Sequence, residues 1–272
     1  MKLLFVGDVV GKAGRAVIQD RLPGLISDYA LDFVIVNGEN AAGGFGITED
    51  IFLDLLSAGA DVVTTGNHVW DQREALVFCE RHSNFLRPIN YPRGTPGKGA
   101  GLFMARNGAR VLVMNAMGRI FMNALDDPFK AVHQELEAAP LGDVSDAVVI
   151  DFHAEATSEK QIMAHYLDGQ VSLVVGTHTH APTADYQILN NGTAYMSDAG
   201  MSGDYDSVIG MDSTEPVSRM TTAIPGSRFA PALGEATLCG VAIIVDDTTG
   251  LTTAIEPVRI GGRLSQHIPS FW

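Results

Sequence analysis

Short aliphatic runs alternate with longer stretches of helical character over most of the chain. The runs that predict buried strands lie at 3–6, 33–36, 61–65, 147–152 and 171–176. The stretches that predict helices lie at 15–29, 49–58, 71–81, 127–138 and 158–167. Thr48 precedes the second helix and is of a residue type that caps helices. Strands that alternate with helices indicate βαβ units and a parallel sheet.

Three hairpin patterns are superimposed on this alternation. Asn107-Gly108 is a two-residue turn between apolar runs, and Asn190-Asn191-Gly192 and Thr248-Thr249-Gly250 separate two further pairs of runs. We therefore predict an α/β fold, a four-layer α/β/β/α sandwich in which two mixed β-sheets pack together and helices flank them. We expect one domain over residues 1–272. Positions 199–234, rich in Gly, Ser, Asp, Met and Pro, predict a long loop that is functional or part of an interface.

Composition narrows the classes of function. The net charge of −14 argues against stable binding to DNA or RNA, because phosphate neutralisation needs Lys and Arg. Cys79 and Cys239 are the only cysteines, which excludes a disulfide framework and a zinc–thiolate motif and fits a reducing compartment. The first apolar run stops at Gly7-Asp8, too early for a signal peptide, and no run is long enough to span a bilayer. We expect a cytoplasmic protein without membrane contact, and leave a homo-oligomer open.

Polar side chains follow five of the predicted strands. Ligands of open α/β sheets bind at the carboxyl ends of the strands, so these side chains are candidate metal ligands. They are Asp8, Glu39, Asn40, Asn67, His153, His178 and His180. Taken singly, Asp8 would be equally well explained as a turn residue, and Asn40 or Asn67 would be better explained as one. Their recurrence at successive strand ends favours a shared site.

The donor types indicate the class of metal. Carboxylate, amide and imidazole without thiolate suit Fe, Mn, Zn or Co. Seven donors exceed the need of one four-coordinate ion and suit two ions that share a carboxylate. Two ions about 3.5–4 Å apart can generate a hydroxide and stabilise an in-line phosphoryl displacement. We expect Fe or Mn as the two metal cofactors, with Zn, Co or Mg as alternatives.

The ordered motifs resemble those of calcineurin-like metallophosphoesterases. They are Gly7-Asp8, Gly38-Glu39-Asn40, Gly66-Asn67-His68, the isolated His153, and Gly176-Thr177-His178-Thr179-His180. The strings Val6-Gly7-Asp8-Val9-Val10-Gly11 and Gly66-Asn67-His68-Val69-Trp70-Asp71 are similar to the YmdB-type bacterial branch. This resemblance implies a metal-dependent phosphodiesterase that acts on a small, cyclic or linear nucleotide.

The chain departs from the superfamily pattern in three motifs. Val10 stands where the first motif has a histidine, Glu39 stands where the second has an aspartate, and Val69 follows the third motif in place of an acidic residue. The resemblance then implies that Asn40 replaces the missing histidine and that Glu39 bridges the metals. Asp71 is a candidate to orient His68.

The resemblance also implies a division of roles. One metal would be held by Asp8, Glu39, Asn40 and His180, and the other by Glu39, Asn67, His153 and His178. A metal-bridging hydroxide would attack phosphorus, and His68 would act as general acid towards the leaving alkoxide.

Alternatives remain at this stage. Lys12 and Arg15 either follow a tight turn into a helix or contact a substrate phosphate, and Trp70 is either a core residue or a platform for a nucleobase. Two other functions are a phosphomonoesterase or nucleotidase, and a regulatory nucleotide-binding protein with weak catalysis. Turnover of a diester against a monoester, and hydrolysis against binding alone, would separate them.

Overall fold

The computed structural model describes residues 1–272 and contains two β-sheets with helices outside them. The strands are β1 (Lys2–Val6), β2 (Asp8–Val9), β3 (Phe33–Asn37), β4 (Val62–Thr64), β5 (Phe85–Leu86), β6 (Ala100–Met104), β7 (Arg110–Met117), β8 (Ala147–His153), β9 (Leu173–Thr177), β10 (Gln187–Ile188), β11 (Ala194–Met196), β12 (Met201–Asp204), β13 (Ala236–Val245) and β14 (Thr252–Ile260). The helices are α1 (Gly11–Tyr29), α2 (Glu49–Ser57), α3 (Ala75–Phe78), α4 (Pro128–Ala138), α5 (Thr157–Tyr166) and α6 (Thr214–Thr222).

Both sheets are mixed, as predicted. The first has the order β2-β12-β13-β1-β3-β4-β5, with β14 paired to β13. Its members β1, β3, β4 and β5 are parallel, whereas β13 runs antiparallel to β1. The second has the order β10-β11-β9-β8-β7-β6, with a parallel centre and antiparallel edge strands β6 and β10. The three predicted hairpins are confirmed as β6–β7, β10–β11 and β13–β14.

Alternation along the strands builds three apolar layers. In β1, Leu4 and Val6 pack towards α1 and α2, whereas Leu3 and Phe5 pack into the space between the sheets. A third cluster lies between the second sheet and helices α4 and α5. The order helix, sheet, sheet, helix confirms the predicted four-layer sandwich.

The layer between the sheets changes from apolar to polar near the carboxyl ends of the strands. In β8, Ala147 and Val149 belong to the apolar cluster, and the next side chains on that face are Asp151 and His153. Strands β3, β4, β7 and β9 change in the same way. The polar residues that replace the apolar ones are Asn37, Thr64, Asn115, Asp151 and Thr177, all fully buried. A polar layer therefore lies directly beneath the predicted ligands.

Local predictions differ in outcome. Thr48 caps α2 as predicted, since its Oγ1 accepts a hydrogen bond from the Ile51 N–H at 3.3 Å. The helix predicted at 71–81 is wrong in extent, because only the four residues of α3, Ala75–Phe78, are helical. The segment before it is held by side-chain bonds, such as that from Gln72 Nε2 to the Phe45 carbonyl at 2.8 Å.

The segment 199–234, predicted to be a loop, contains the regular elements β12 and α6. Helix α1 begins at Gly11, before the predicted start at residue 15. No residue of α6 is buried, and Val217 and Met220 are its few large apolar residues, so the segment offers few apolar positions from which to predict a helix. Among the helices, none has the length and apolar character that a bilayer-spanning segment requires. Cys79 and Cys239 are buried and unpaired, as expected of core residues.

Candidate metal centre

The structure brings all seven predicted donors to one end of the two sheets. Asp8 opens β2, and His153 is the last residue of β8. The others lie on the turns that follow β3, β4 and β9: Glu39, Asn40, Asn67, His178 and His180. Their positions follow from the parallel strands, whose carboxyl ends meet at the same edge.

One group of donors surrounds the imidazole of His153. Its Nε2 lies 2.9 Å from Asn67 Oδ1, 3.1 Å from His178 Nδ1 and 3.6 Å from Glu39 Oε1. Ligand atoms bound at about 2.0–2.2 Å to one ion lie about 3–3.5 Å apart. The distances from His153 Nε2 to the other three atoms are therefore close to those between ligands of a common cation.

A second group surrounds His180. Its Nε2 lies 3.2 Å from Asn40 Oδ1 and 4.0 Å from Asp8 Oδ1. The other ring nitrogen, Nδ1, is 2.8 Å from the carbonyl of Ile209, which can only accept a hydrogen bond. Nδ1 therefore carries the proton, and in the neutral ring Nε2 presents a lone pair.

The oxygen of Asn40 is fixed in the same way. Its Nδ2 donates to the Gly44 carbonyl at 2.9 Å, which turns Oδ1 towards His180. Asp8 Oδ1 is buried and has no hydrogen-bond partner. Three acceptors thus face one another with no protein donor between them, and such an arrangement fits a cation.

The tautomer of His153 is set by a chain of hydrogen bonds in the polar layer. Its Nδ1 lies 2.9 Å from Thr177 Oγ1, and that hydroxyl donates to Asp151 Oδ1 at 2.7 Å. Asp151 Oδ2 also accepts hydrogen bonds from Asn37 Nδ2 and Thr64 Oγ1. With Asp151 ionised, the Nδ1 of His153 donates and its Nε2 is left as a ligand, an arrangement common behind metal-bound histidines.

Sequence reasoning missed Asp151 as a supporting residue. A signal was present, because an aspartate two positions before His153 lies on the same face of an otherwise aliphatic strand. Only the packing of the two sheets shows its role, since Asn37 and Thr64 belong to one sheet and Asp151 to the other.

Burial dominates the electrostatics of the donors. It raises the pKa of Asp8 to about 7, with a further contribution from the charge of Asp198, and it raises the pKa of Glu39 well above its usual value. It lowers the pKa of His153 well below its usual value and also lowers those of His178 and His180. Neutral imidazoles are the ligand form, and buried carboxylates ionise when a cation compensates them.

The donor set as a whole fits a pair of divalent cations. Glu39 Oε2, like Asp8 Oδ1, is buried without a hydrogen-bond partner. No three His, Cys, Asp or Glu side chains on their own are arranged to hold an ion, so the candidate ligand sets include the amide oxygens of Asn40 and Asn67.

The two histidines after β9 have unusual backbone conformations. The φ angle is 98° at His178 and 65° at His180, in the region that residues other than glycine rarely adopt. Such conformations cost about 1–3 kcal/mol each and persist where surrounding contacts enforce them. The ligand loop therefore needs support from its neighbours.

His68 lies beside the donors but has a different environment. Its Nδ1 is 2.8 Å from Asp71 Oδ2, which confirms that Asp71 orients the ring. Its side chain is 30% exposed, and Nε2 has no protein partner. The His68 N–H donates to Glu39 Oε1. The ring is thus fixed beside the ligands with one nitrogen free.

A cavity of about 270 Å³ lies over the donors. Glu39, Asn40, His68, His178 and His180 contribute its polar side. The remaining lining residues are Phe45, Val208, Ile209, Met211, Pro216 and Phe229. Most of these apolar residues belong to the segment 199–234, which was predicted to be functional or part of an interface. Trp70 packs edge-on against Tyr91, and neither it nor Lys12 or Arg15 lines the cavity.

Comparison with known proteins agrees with this geometry. The chain matches the YmdB-like protein family over residues 4–258. It is 48% identical to the 2',3'-cyclic-nucleotide 2'-phosphodiesterase of Bacillus subtilis (strain 168), over 96% of this chain and 97% of that protein. Its fold is similar to that of a hypothetical protein from Thermus thermophilus, with TM-score 0.89, 41% identity and coverage of 97% and 100%. A Mycoplasma pneumoniae phosphatase gives TM-score 0.88, 34% identity and coverage of 100% and 95%.

The raised pKa of Asp8 predicts the pH dependence of the chelated protein. Protonation of Asp8 stabilises the metal-free fold at low pH, and this contribution is lost as pH rises through about 7. In EDTA, we expect the thermal midpoint of wild type to fall relative to that of Asp8→Asn between about pH 4 and 7, because the lowered histidine pKa values act alike in both proteins. With Mn²⁺, wild type should show the opposite slope, because ligation requires the carboxylate. Calorimetry at each pH measures the thermal midpoints in EDTA and with Mn²⁺. The control is Asp143→Asn, a substitution of an exposed aspartate. Parallel curves for wild type and Asp8→Asn in EDTA would contradict the assignment.

Proposed function

The chain belongs to the YmdB-like family, a branch of the calcineurin-like phosphoesterases, and from this membership we propose that it is a metal-dependent phosphodiesterase of 2',3'-cyclic nucleotides. The relative from Bacillus subtilis carries that activity in its name. The observation that carries the proposal is the convergence of unpartnered acceptors under a cavity that His68 also lines.

The donors divide into two ligand sets. Asp8, Asn40 and His180 would hold one ion, Asn67, His153 and His178 the other, and Glu39 would be shared. Bound ions, with Fe or Mn as the proposed pair, would supply a nucleophile from water at neutral pH and compensate the charge of the phosphate. Asp8 and Glu39 keep the ions in place because their carboxylates are buried and otherwise uncompensated.

His68 is placed to handle the leaving oxygen. Its Nε2 has no protein partner, and Asp71 holds the other nitrogen, so a proton on Nε2 can reach a substrate in the cavity. In the proposed reaction, a water oxygen bonds to phosphorus and the bond from phosphorus to the ribose O2' breaks. The water releases one proton to solvent, O2' takes the proton from His68, which regains one from solvent, and a 3' monoester remains.

The cavity lining favours a diester over a monoester. No lysine or arginine lines it, and a dianionic monoester would gain most from such a residue. The apolar side offers two aromatic rings, Phe45 and Phe229, that suit a nucleobase. Arg219 lies over one face of the Phe229 ring, with its guanidinium carbon 4.3 Å from the ring centroid. Arg219 is itself paired with Glu215 at 2.7 Å.

Substrate comparison tests the proposal directly. With Mn²⁺ present, we expect 2',3'-cyclic AMP to be converted to 3'-AMP, with kcat/KM at least about tenfold above that for 2'-AMP or 3'-AMP, equivalent to about 1.4 kcal/mol. EDTA should abolish turnover, and Mn²⁺ should restore it. Chromatography of the products measures the outcome. Preference for a monoester would favour a nucleotidase, and tight binding without hydrolysis would favour a regulatory protein.

Substitution of His68 separates catalysis from metal binding. His68→Ala should keep the metal content of wild type and lower kcat by about 10²- to 10⁴-fold, the usual contribution of a general acid. Metal analysis and steady-state kinetics on the same preparation provide the measurement. His133→Ala, a half-exposed histidine on α4, is the matched control. Undiminished turnover in His68→Ala would remove its assigned role.

Substitution of Phe229 tests the apolar side of the cavity. Stacking of a base on an aromatic ring contributes about 1–3 kcal/mol, so Phe229→Ala should raise KM for the cyclic nucleotide roughly tenfold with little change in metal content. Phe121→Ala is the control, because that ring is 89% exposed and outside the cavity. A KM equal to that of wild type would show that the base binds elsewhere.

A further inference from the structure

A buried ion pair lies behind the ligand loop that follows β9. Lys160 on α5 reaches Asp198, which follows β11, with 2.9 Å between Nζ and Oδ2. The two side chains are only 2% and 1% exposed. Neither residue lines the cavity over the donors. The pair is therefore outside the proposed chemistry, yet it is among the most deeply buried charges of the protein.

The carboxylate of Asp198 binds the residue between the two ligand histidines. Its Oδ2 accepts from the Thr179 N–H at 3.0 Å and from the Thr179 hydroxyl at 2.7 Å. Its Oδ1 accepts from the Gly200 N–H at 2.9 Å. Asp198 thus fixes Thr179 through both its backbone and its side chain, and Lys160 holds Asp198 in turn.

The ligand loop needs such an anchor. His178 and His180, on either side of Thr179, both have positive φ, which residues other than glycine rarely adopt. Their side chains point to different donor groups, His178 towards His153 and His180 towards Asn40. A backbone free to relax at Thr179 would move both imidazoles.

The path of Lys160 to Asp198 requires a glycine in the ligand motif. A Cβ atom at Gly176 would lie 2.7 Å from Lys160 Cδ and 1.8 Å from the Ser197 carbonyl oxygen. The aliphatic stem of the lysine therefore crosses β9 where the strand has no side chain. Gly176 permits the contact between helix α5 and the segment after β11.

From these contacts we propose that the Lys160–Asp198 ion pair is a positioning device for metal binding, which holds Thr179 so that His178 and His180 each present a nitrogen to one of the two ions. The inference rests on the metal centre of the proposed function. A buried ion pair is weak support for stability alone, because desolvation offsets most of the attraction. Its use here is geometric: Lys160 holds the Asp198 carboxylate in the position from which it binds Thr179.

Three variants test the device in the full-length protein. Lys160→Met leaves Asp198 buried without its cation, and Lys160→Met/Asp198→Asn removes both charges but retains an acceptor for Thr179. Thr179→Val removes one hydrogen bond and leaves the ion pair intact. The matched control is Arg110→Met, which breaks the half-exposed ion pair with Asp146 at the far end of β7. Each protein is measured for Mn²⁺ per chain, Mn²⁺ affinity by titration, and thermal midpoint in EDTA.

We expect the apparent Mn²⁺ affinity to fall at least tenfold in Lys160→Met and about threefold in Thr179→Val. The double variant should lie between wild type and Lys160→Met, and Arg110→Met should match wild type. A purely structural pair would lower the midpoint in EDTA but leave Mn²⁺ stoichiometry and affinity unchanged in the variants, and that result would overturn the inference. If Lys160→Met does not fold, wild-type affinity in both Thr179→Val and the double variant would overturn it.

The same experiment separates this inference from the proposed function. Wild type that binds two Mn²⁺ per chain and hydrolyses the cyclic nucleotide, with unaltered affinity in the variants, refutes only the positioning role. Wild type that binds no Mn²⁺ refutes the metal-dependent function and the positioning role together.

Discussion

The mutual repulsion of buried acceptors is the constraint on which the site depends. Asp8 and Glu39 each bury an oxygen without a hydrogen-bond partner, and the free nitrogens of His153 and His180 face asparagine oxygens. Water would relieve this crowding by letting the groups move apart or take up protons. The fold prevents the movement and fixes the ring tautomers, so relief comes from a proton on a carboxylate or from a bound cation. Only positive charge between the acceptors compensates such an arrangement, and for this reason the donors are better explained by cations than by packing.

This constraint extends into the fold through Asp151. Its carboxylate joins Asn37 and Thr64 of one sheet to Thr177 of the other, at the level where the apolar layer between the sheets ends. The bonds satisfy groups that would be costly to bury alone, and they also fix His153. Burial raises the pKa of Asp151 to about 7, and the hydrogen bonds from Thr64, Thr177 and Asn37 act in the opposite direction. Sheet packing and site chemistry therefore support each other.

The donors were predictable from sequence because their positions follow from local patterns. Each ends or follows a strand, and the parallel strands of one sheet end at one edge, so strand prediction groups the donors after β1, β3 and β4 in one sheet and those of β8 and β9 in the other. The packing of the two sheets brings these groups together. The supporting groups were not predictable, since Asp198 and Lys160 meet only when α5, β9 and the segment after β11 pack together. The cavity wall was missed in part for another reason. Helix α6 is short, exposed and poor in apolar residues, so its sequence resembles that of a loop.

The candidate metal ligands and the residues of the cavity wall differ in how well they tolerate substitution. The donors belong to parallel strands whose side chains fill two apolar layers, so a shift in any strand displaces ligands and core together. Residues 208–229 form the opposite side of the cavity from an irregular segment and an exposed helix, which few core contacts restrain. Changes there can alter the shape of the cavity without disturbing the ligands, except at Ile209. Its carbonyl fixes the tautomer of His180, so at this one residue the wall of the cavity and the ligand geometry are coupled.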